Sequence, residues 1–285
     1  MIVKILIIFT GGTIGSTLNG EYISLNEEKP YAILHKYNEE YPNDIEWHTM
    51  NPYTLLSENA TVETYKLLAE NVKKGLTGDY DGIIITHGSD TIQYSGAFLS
   101  LILGNDTIPV MLVCSNYVLE HENSNGMANF SLAVDCIVNK KDRGVLVPYD
   151  GILHRGENLM PHNLYSDKLY SLNTKLVIKP HKEPDYSRGN TGIMLIHMSP
   201  GLVYPTDFTG VKAVLLHAYH GGTLCVKDEG FISFTKRAKE KNIKIFMVGA
   251  NPETEYDSCR EYEELGINVM EHISPIYAYM KLWVC

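Results

Sequence analysis

Residues 3–17 read VKILIIFTGGTIGST, in which an apolar run is stopped by two glycines. An apolar run without clean alternation is typical of a parallel strand that is covered on both faces. Similar runs occupy residues 82–86, 109–114, 144–147, 192–197, 211–217 and 243–248. Amphipathic stretches with helical spacing lie between them, most clearly at residues 61–74 and 91–103. This alternation predicts an α/β fold, because strand–helix–strand crossovers build doubly wound sheets.

The chain has 285 residues, which at ~150 residues per domain suggests two domains. The sharpest break is at residues 179–190, KPHKEPDYSRGN, because a polar stretch with two prolines and a glycine favours a linker. We therefore expect a larger amino-terminal α/β domain with a mostly parallel sheet at residues 1–180. A smaller, doubly wound carboxy-terminal α/β domain is expected at residues 190–285.

The charge balance limits the class of partner. Lys and Arg number 24 against 34 Asp and Glu, a net charge of −10 without a basic run, so nucleic acid is not expected as a partner. The apolar stretches fall short of the ~20 residues that cross a bilayer, and no signal peptide is indicated. The five cysteines show no CxxC pattern and fit reduced thiols. These features predict a cytoplasmic globular protein without a membrane partner.

Polar residues follow two of the apolar runs directly. The first set is Thr10-Gly11-Gly12-Thr13, and the second is residues 86–91, THGSDT. Paired glycines let the backbone turn sharply and direct N–H groups at a carbonyl oxygen or an anion. Neither a Walker A lysine nor a G-x-G-x-x-G spacing is present. Both sets fall at carboxyl ends of strands, where open α/β sheets bind ligands.

Each motif taken alone also has a structural interpretation. Thr13 could be a spacer in a glycine turn. Asp90 could cap the helix that follows it, and His87 could be a hydrogen-bonded structural histidine. The eleven histidines show no HExxH or HxH spacing, so no metal site is expected.

Taken together, the two motifs resemble those of the bacterial L-asparaginase family, TGGTI near the amino terminus and HGTDT about 75 residues later. The resemblance covers nearly all of the chain. It extends through residues 57–59 (SEN), 124–130 (SNGMANF), 143–145 (RGV), 219–223 (YHGGT) and 277–282 (YAYMKL). It implies the two-domain α/β fold of that family and a homodimer or homotetramer.

The resemblance also implies catalytic roles. Thr13 corresponds to the nucleophile, and Thr10 to its motif partner. Ser89 stands for the family's second essential hydroxyl, with Asp90 as the carboxylate beside it. A flap tyrosine of the family is matched best by Tyr22.

The same resemblance implies the residues that contact substrate. Ser57 is the nearest match to a serine that binds the substrate carboxylate. Thr223 and Glu255 occupy positions at which family members contribute residues across a subunit interface. The expected substrate-binding residues are Gly12, Ser57, Glu58, Gly88, Ser89, Asp90 and Thr223.

One departure from the family concerns its catalytic lysine. The corresponding stretch, residues 149–162, reads YDGILHRGENLMPH and contains no lysine. Lys168 would need a shifted alignment, and His162, His154 or Arg155 could supply a proton relay or a positive charge instead. Lys168 and His162 rank first. Since a general acid or base contributes ~10²–10⁴-fold, its loss would slow turnover without necessarily abolishing it.

The function implied is hydrolysis of L-asparagine, a small-molecule substrate, to L-aspartate and ammonia through an acyl-enzyme on Thr13, without a cofactor. The alternative is a weakly active or inactive homologue that binds an amino acid as a sensor. A third possibility is the subunit of a tRNA-dependent amidotransferase, which carries an additional domain ahead of these motifs. Because nine residues precede Thr10 here, the sequence favours the first two.

Overall fold

The computed structural model describes residues 2–25, 31–42, 44–163, 165–249 and 256–285. The strands of these residues are β1 Lys4–Phe9, β2 Ser16–Asn19, β3 Tyr22–Leu25, β4 Glu46–Met50, β5 Gly82–Thr86, β6 Val110–Val113, β7 Val145–Tyr149, β8 Ile152–Arg155, β9 Ile193–His197, β10 Ala213–His217, β11 Lys244–Val248 and β12 Ile267–Met270. The helices are α1 Ala32–Glu40, α2 Val62–Leu76, α3 Ile92–Leu103, α4 Gly126–Val138, α5 Glu229–Glu240 and α6 Pro275–Val284.

A six-stranded sheet has the order β4-β1-β5-β6-β7-β8. Its strands are parallel except for the edge strand β8, which runs antiparallel to β7. The central strands β1, β5 and β6 are buried almost throughout, as their continuous apolar sequences predict. The register of β1 on β5 sets Phe9 opposite Thr86. The loops after β1 and β5 therefore leave the sheet side by side at its carboxyl edge.

A second sheet, β12-β11-β10-β9, is parallel throughout the described strands. Helix α5 covers it with Phe231 and Phe234, both fully buried. The predicted α/β fold with a mostly parallel larger sheet and a smaller parallel unit is confirmed. The division into residues 1–180 and 190–285 stays a prediction.

The last helix, α6, returns to the first sheet. Trp283 stacks on Phe98 of α3 with ring centroids 5.3 Å apart, and Tyr65 of α2 packs edge-on against the same indole. Helix α3 is apolar on nearly all sides because the sheet lies beneath it and α6 lies above it. It opens directly after the THGSDT stretch, so this packing anchors one wall of the carboxyl edge.

None of the helices in the described residues combines the length and the apolar character that a bilayer crossing needs. The cytoplasmic location and the homo-oligomer stay predictions.

Candidate functional site

Three loops meet at the carboxyl edge of the first sheet. A Cβ on Gly12, whose φ is +78°, would lie 2.4 Å from the Gly88 nitrogen, and a Cβ on Gly88 would lie 2.3 Å from Ser57 Oγ. Both distances are far below van der Waals contact, so only glycine allows these backbones to approach so closely. The backbones of the loops after β1 and β5 therefore pack directly against each other, and the Ser57 side chain of the turn Ser57–Asn59 packs against Gly88.

Hydrogen bonds hold the first loop in this position. The Thr10 hydroxyl donates to the Thr86 carbonyl at 2.5 Å, and the Thr10 N–H donates to Thr86 Oγ1 at 3.2 Å. Leu55 joins from the third loop, since the Gly12 N–H donates to its carbonyl at 3.0 Å and its own N–H donates to the Thr10 carbonyl at 3.1 Å. Thr10 is buried and its hydroxyl is engaged, which leaves Thr13 as the accessible hydroxyl of the motif.

Thr13 and Ser89 are both partly exposed, while Gly12 and Gly88 between them are buried. Among the described residues, the N–H groups of Thr13 and Ser89 donate to no other group. Thr13 opens a short 3-10 turn, where the first N–H lacks a partner within the turn. Two hydroxyls and two free N–H donors thus lie on adjoining loops.

Asp90 is exposed at the rim of this edge. The capping role that its position allowed is not taken up, because α3 begins after Thr91, which makes no side-chain cap either. Instead the Thr91 hydroxyl donates to the Ser57 carbonyl at 3.1 Å. The Asp90 carboxylate is left facing solvent next to Ser89.

His87 has a structural role, as the alternative interpretation expected. It is 6% exposed, its Nδ1 lies 2.8 Å from the Gly88 carbonyl, and its Nε2 lies 2.9 Å from Ser95 Oγ. Because a carbonyl only accepts, Nδ1 carries the proton and Nε2 accepts from the Ser95 hydroxyl. Burial lowers the pKa of His87, which favours this neutral form.

Ser57 lies beneath Gly88 and is 4% exposed. Its Oγ has no hydrogen-bond partner among the described residues and lines a cavity of about 10 Å³ together with Thr10, His87 and Ser95. The neighbouring Glu58 points to solvent. Ser57 therefore supports the THGSDT loop from below, and its predicted contact with a substrate carboxylate stays a prediction.

The two candidates for the missing lysine differ in position. His162 is half-buried, and its Nδ1 lies 3.4 Å from the Ser89 carbonyl. The His162 ring also meets Tyr149 edge-on at 6.1 Å between centroids. Lys168 is exposed, and its hydrogen bond runs from its backbone N–H to Ser166 Oγ. Of the two, the fold brings His162 to the site.

Two other predicted residues lie apart from these loops. Tyr22 is 76% exposed near the tip of the β2–β3 hairpin, opposite Asn19. Thr223 lies in the loop after β10 of the second sheet, where its carbonyl accepts from the Tyr219 N–H at 3.1 Å. Glu255 lies outside the described residues.

The SNGMANF stretch, whose residues have no role predicted from the sequence, has a structural role. Asn129 donates to the Cys114 carbonyl at 3.0 Å and accepts from the Asp150 N–H at 3.1 Å. Asn125 donates to the Asp150 carboxylate at 2.8 Å. These amides join the ends of β6 and β7, and so fix the start of the stretch that reaches His162. The complete burial of Asn129 marks this role in the structure, and the sequence alone does not show it.

Within the described ranges, no three His, Cys, Asp or Glu side chains are grouped closely enough to hold a metal ion.

Comparison with known proteins places this geometry in a family. Residues 4–168 match the family model described as Asparaginase, N-terminal. The chain is 26% identical to a glutamyl-tRNA(Gln) amidotransferase subunit of Methanobrevibacter smithii, over 99% of this chain and 72% of that protein. It is 30% identical to L-asparaginase 1 of Escherichia coli, over 54% of this chain and 46% of that one.

Solved structures agree on the fold. L-asparaginase I from Vibrio cholerae superposes with a TM-score of 0.75, at 18% identity over 100% of this chain and 92% of that chain. The thermostable L-asparaginase from Thermococcus kodakarensis gives a TM-score of 0.73, at 20% identity over 99% of this chain and 97% of that chain. Because the matched family model spans more than half of the chain and the whole fold agrees, the protein belongs to the asparaginase family of amidohydrolases.

Proposed function

We propose that this protein hydrolyses the side-chain amide of L-asparagine to L-aspartate and ammonia through an acyl ester on Thr13. The observation that carries the proposal is the approach of Gly12 to Gly88, which sets the Thr13 and Ser89 hydroxyls on adjoining backbones. Amide hydrolysis needs a nucleophile, a proton donor for the leaving nitrogen and donors for the oxyanion. The two loops offer hydroxyls and free N–H groups for this chemistry.

In the first half of the reaction, Thr13 Oγ bonds to the amide carbon and its proton moves towards the leaving nitrogen. The N–H groups of Thr13 and Ser89 stabilise the negative charge that develops on the carbonyl oxygen. Collapse of the tetrahedral intermediate breaks the C–N bond. Ammonia leaves, and the aspartyl group remains as an ester on Thr13.

In the second half, a water molecule oriented at the Ser89 hydroxyl attacks the ester carbon. The C–O bond to Thr13 breaks, the threonine recovers its proton, and L-aspartate is released. The Asp90 carboxylate pairs with the α-ammonium group in both halves, which selects amino acids over simple amides. Its place at the exposed rim beside Ser89 supports this role.

The proton route is the part of the proposal that departs from the family. His162 contacts the backbone of Ser89, and Tyr22 lies on the hairpin that continues from the Thr13 turn. The hairpin base is the pair Ser16 and Leu25. At ~3.3 Å per residue, Tyr22 lies ~10 Å along the hairpin from that base, so the hairpin must bend over the site for its hydroxyl to reach Thr13.

A second candidate function is favoured by one comparison. The match to the glutamyl-tRNA(Gln) amidotransferase protein covers 99% of this chain, whereas the match to L-asparaginase 1 covers 54%. In that case the same loops would release ammonia for transfer to another acceptor within a larger assembly. Both candidates use Thr13 in the same way, and they differ in whether the isolated chain turns over free L-asparagine.

The test is ammonia release from L-asparagine by the purified chain, with L-aspartate binding followed by calorimetry. Thr13→Ala should lower turnover by at least ~10³-fold, because it removes the acyl acceptor. Thr17→Ala, four residues further on in β2, is the matched control and should retain wild-type turnover. A wild-type chain that binds L-aspartate without releasing ammonia would rule out hydrolysis of L-asparagine by the isolated chain, and would leave a binding protein or a subunit of a larger assembly as the alternatives. Activity that survives Thr13→Ala would rule out the acyl-enzyme.

A further inference from the structure

A second cavity lies at the opposite, amino edge of the first sheet. It has a volume of about 630 Å³, within the range of small-molecule sites. Val3 and Ile45, which directly precede β1 and β4, form one side of it. Since β1 has six residues at ~3.3 Å each, this amino-edge cavity lies ~20 Å from the Thr13 loop.

The walls of the amino-edge cavity are apolar and aromatic. Two tyrosines at the end of α1, Tyr37 and Tyr41, stack on each other. Their ring centroids are 5.0 Å apart, and the angle between their planes is 26°. Val134 and Val138 of α4 also line the cavity. Tyr41 is 48% exposed, so part of its side chain is accessible at the cavity. Stacked tyrosines of this kind attract cations through the negative faces of their rings.

Negative charge accumulates around the same cavity. Helices α1 and α4 both end there, and neither has a basic residue in its last turn. A helix carries partial negative charge at its carboxyl end. Asp44 and Asp135 add two carboxylates to the lining. Lys141, just beyond the end of α4, pairs with Asp135. The remaining negative charge is that of Asp44 and the α1 end, and the described residues that line the cavity include no lysine or arginine to offset it.

The floor of the cavity contains an unsatisfied polar atom. Ser131 Oγ is buried and has no hydrogen-bond partner among the described residues. Asp135 lies one helical turn further along α4. The pKa of the Tyr37 phenol is raised mainly by burial, and further by the nearby Tyr41 and the Asp135 carboxylate. A buried hydroxyl without a partner calls for an explanation, and a polar atom of a bound ligand would provide one.

We propose that the amino-edge cavity binds a small organic cation, an ammonium group on an aromatic or otherwise apolar body. The body packs between the tyrosines and the valines of α4. The ammonium group lies at the carboxyl ends of α1 and α4 near Asp44, and the Ser131 hydroxyl is available to a polar atom of the ligand. This site is separate from the proposed catalytic loops and does not depend on their activity.

The test is calorimetric titration of the full chain with three probes of similar shape. These are 2-phenylethylammonium, 2-phenylethanol and 3-phenylpropionate. We expect the cation to bind at least about tenfold more tightly than the alcohol, with the carboxylate weakest, because the rings, carboxylates and helix ends all favour positive charge. Equal affinities for the three probes, or no binding of the cation at millimolar concentration, would overturn the proposal.

Four variants locate the binding. Asp44→Asn and Tyr41→Leu should each lower the affinity for the cation by about threefold or more. Glu263→Gln removes one exposed carboxylate near the second sheet and controls for total charge, so it should leave the affinity unchanged. Asp90→Asn tests the catalytic edge and should also have no effect. Loss of binding in Asp90→Asn with retention in Asp44→Asn would place the cation at the catalytic loops and refute the amino-edge site.

Discussion

Replacing Gly12 with alanine should separate the two loops that carry Thr13 and Ser89. The new Cβ would lie 2.4 Å from the Gly88 nitrogen and 2.5 Å from the His87 carbonyl, whereas ordinary contact begins at 3.4 Å. The backbones must therefore move apart by about 1 Å, and a displacement of that size in a reacting pair costs ~10²-fold in rate. With φ +78° and ψ 176°, Gly12 lies in a backbone region that is populated almost only by glycine, which adds ~1–3 kcal/mol of strain for any residue with a Cβ.

The measurements are kcat/KM for ammonia release and the free energy of unfolding in urea. Gly15→Ala is the matched control, because Gly15 lies in the same 3-10 turn and a Cβ there meets nothing within 4 Å. We expect Gly12→Ala to lose ~10²-fold in kcat/KM and Gly15→Ala to stay near wild type. If the wild type proves inactive, L-aspartate affinity replaces kcat/KM. Wild-type behaviour of Gly12→Ala, or equal damage from Gly15→Ala, would refute the backbone-contact argument.

Three further outcomes are expected. Asp90→Asn should weaken L-aspartate binding far more than Thr13→Ala does, because it removes the charge that faces the α-ammonium; equal calorimetric affinity would contradict this. His162→Ala should lower kcat by at least about tenfold, whereas Lys168→Ala should change kcat by less than about threefold; two changes below threefold would exclude both residues from the proton route. Burial, followed by the nearby His197, lowers the pKa of His217 to about 4. Between an unfolded pKa of ~6.5 and that value only the unfolded chain gains a proton at His217, so the free energy of unfolding should fall as the pH is lowered through this window. His217→Asn should flatten that slope in urea titrations, and an unchanged slope would argue against the assignment.

The central strands were predictable because a strand that is buried on both faces has a continuous run of apolar residues in the sequence. Residues 3–9 and 82–86 give β1 and β5 almost to the residue. The edge strand β4 was not predicted, because EWHTM is only partly apolar and owes its strand form to pairing with β1. The β2–β3 hairpin had a local signal, the glycine of its two-residue turn at Gly20, whose φ is +63°.

The carboxyl-edge site likewise has features that the sequence predicts and features that it does not. The meeting of the Thr13 and Ser89 loops was predictable, because parallel neighbouring strands bring their carboxyl ends to one edge of the sheet. The position of Ser57 beneath Gly88 could not be predicted, because it depends on packing of the Ser57 side chain against a glycine 31 residues away in sequence. The choice between His162 and Lys168 likewise depends on the path of a long segment with little regular structure.

The return of α6 to the first sheet has a consequence for synthesis on the ribosome. The α3 surface that Trp283 covers is translated long before the tryptophan that covers it. At ~5–20 residues per second, the interval between β8 and α6 is on the order of ten seconds. During that time the nascent chain exposes the aromatic face of Phe98 and Tyr65, and the larger sheet cannot complete its core until α6 has been translated. Chaperone capture should therefore concentrate on this face, and a chain that stops before Pro275 should remain bound to the chaperone.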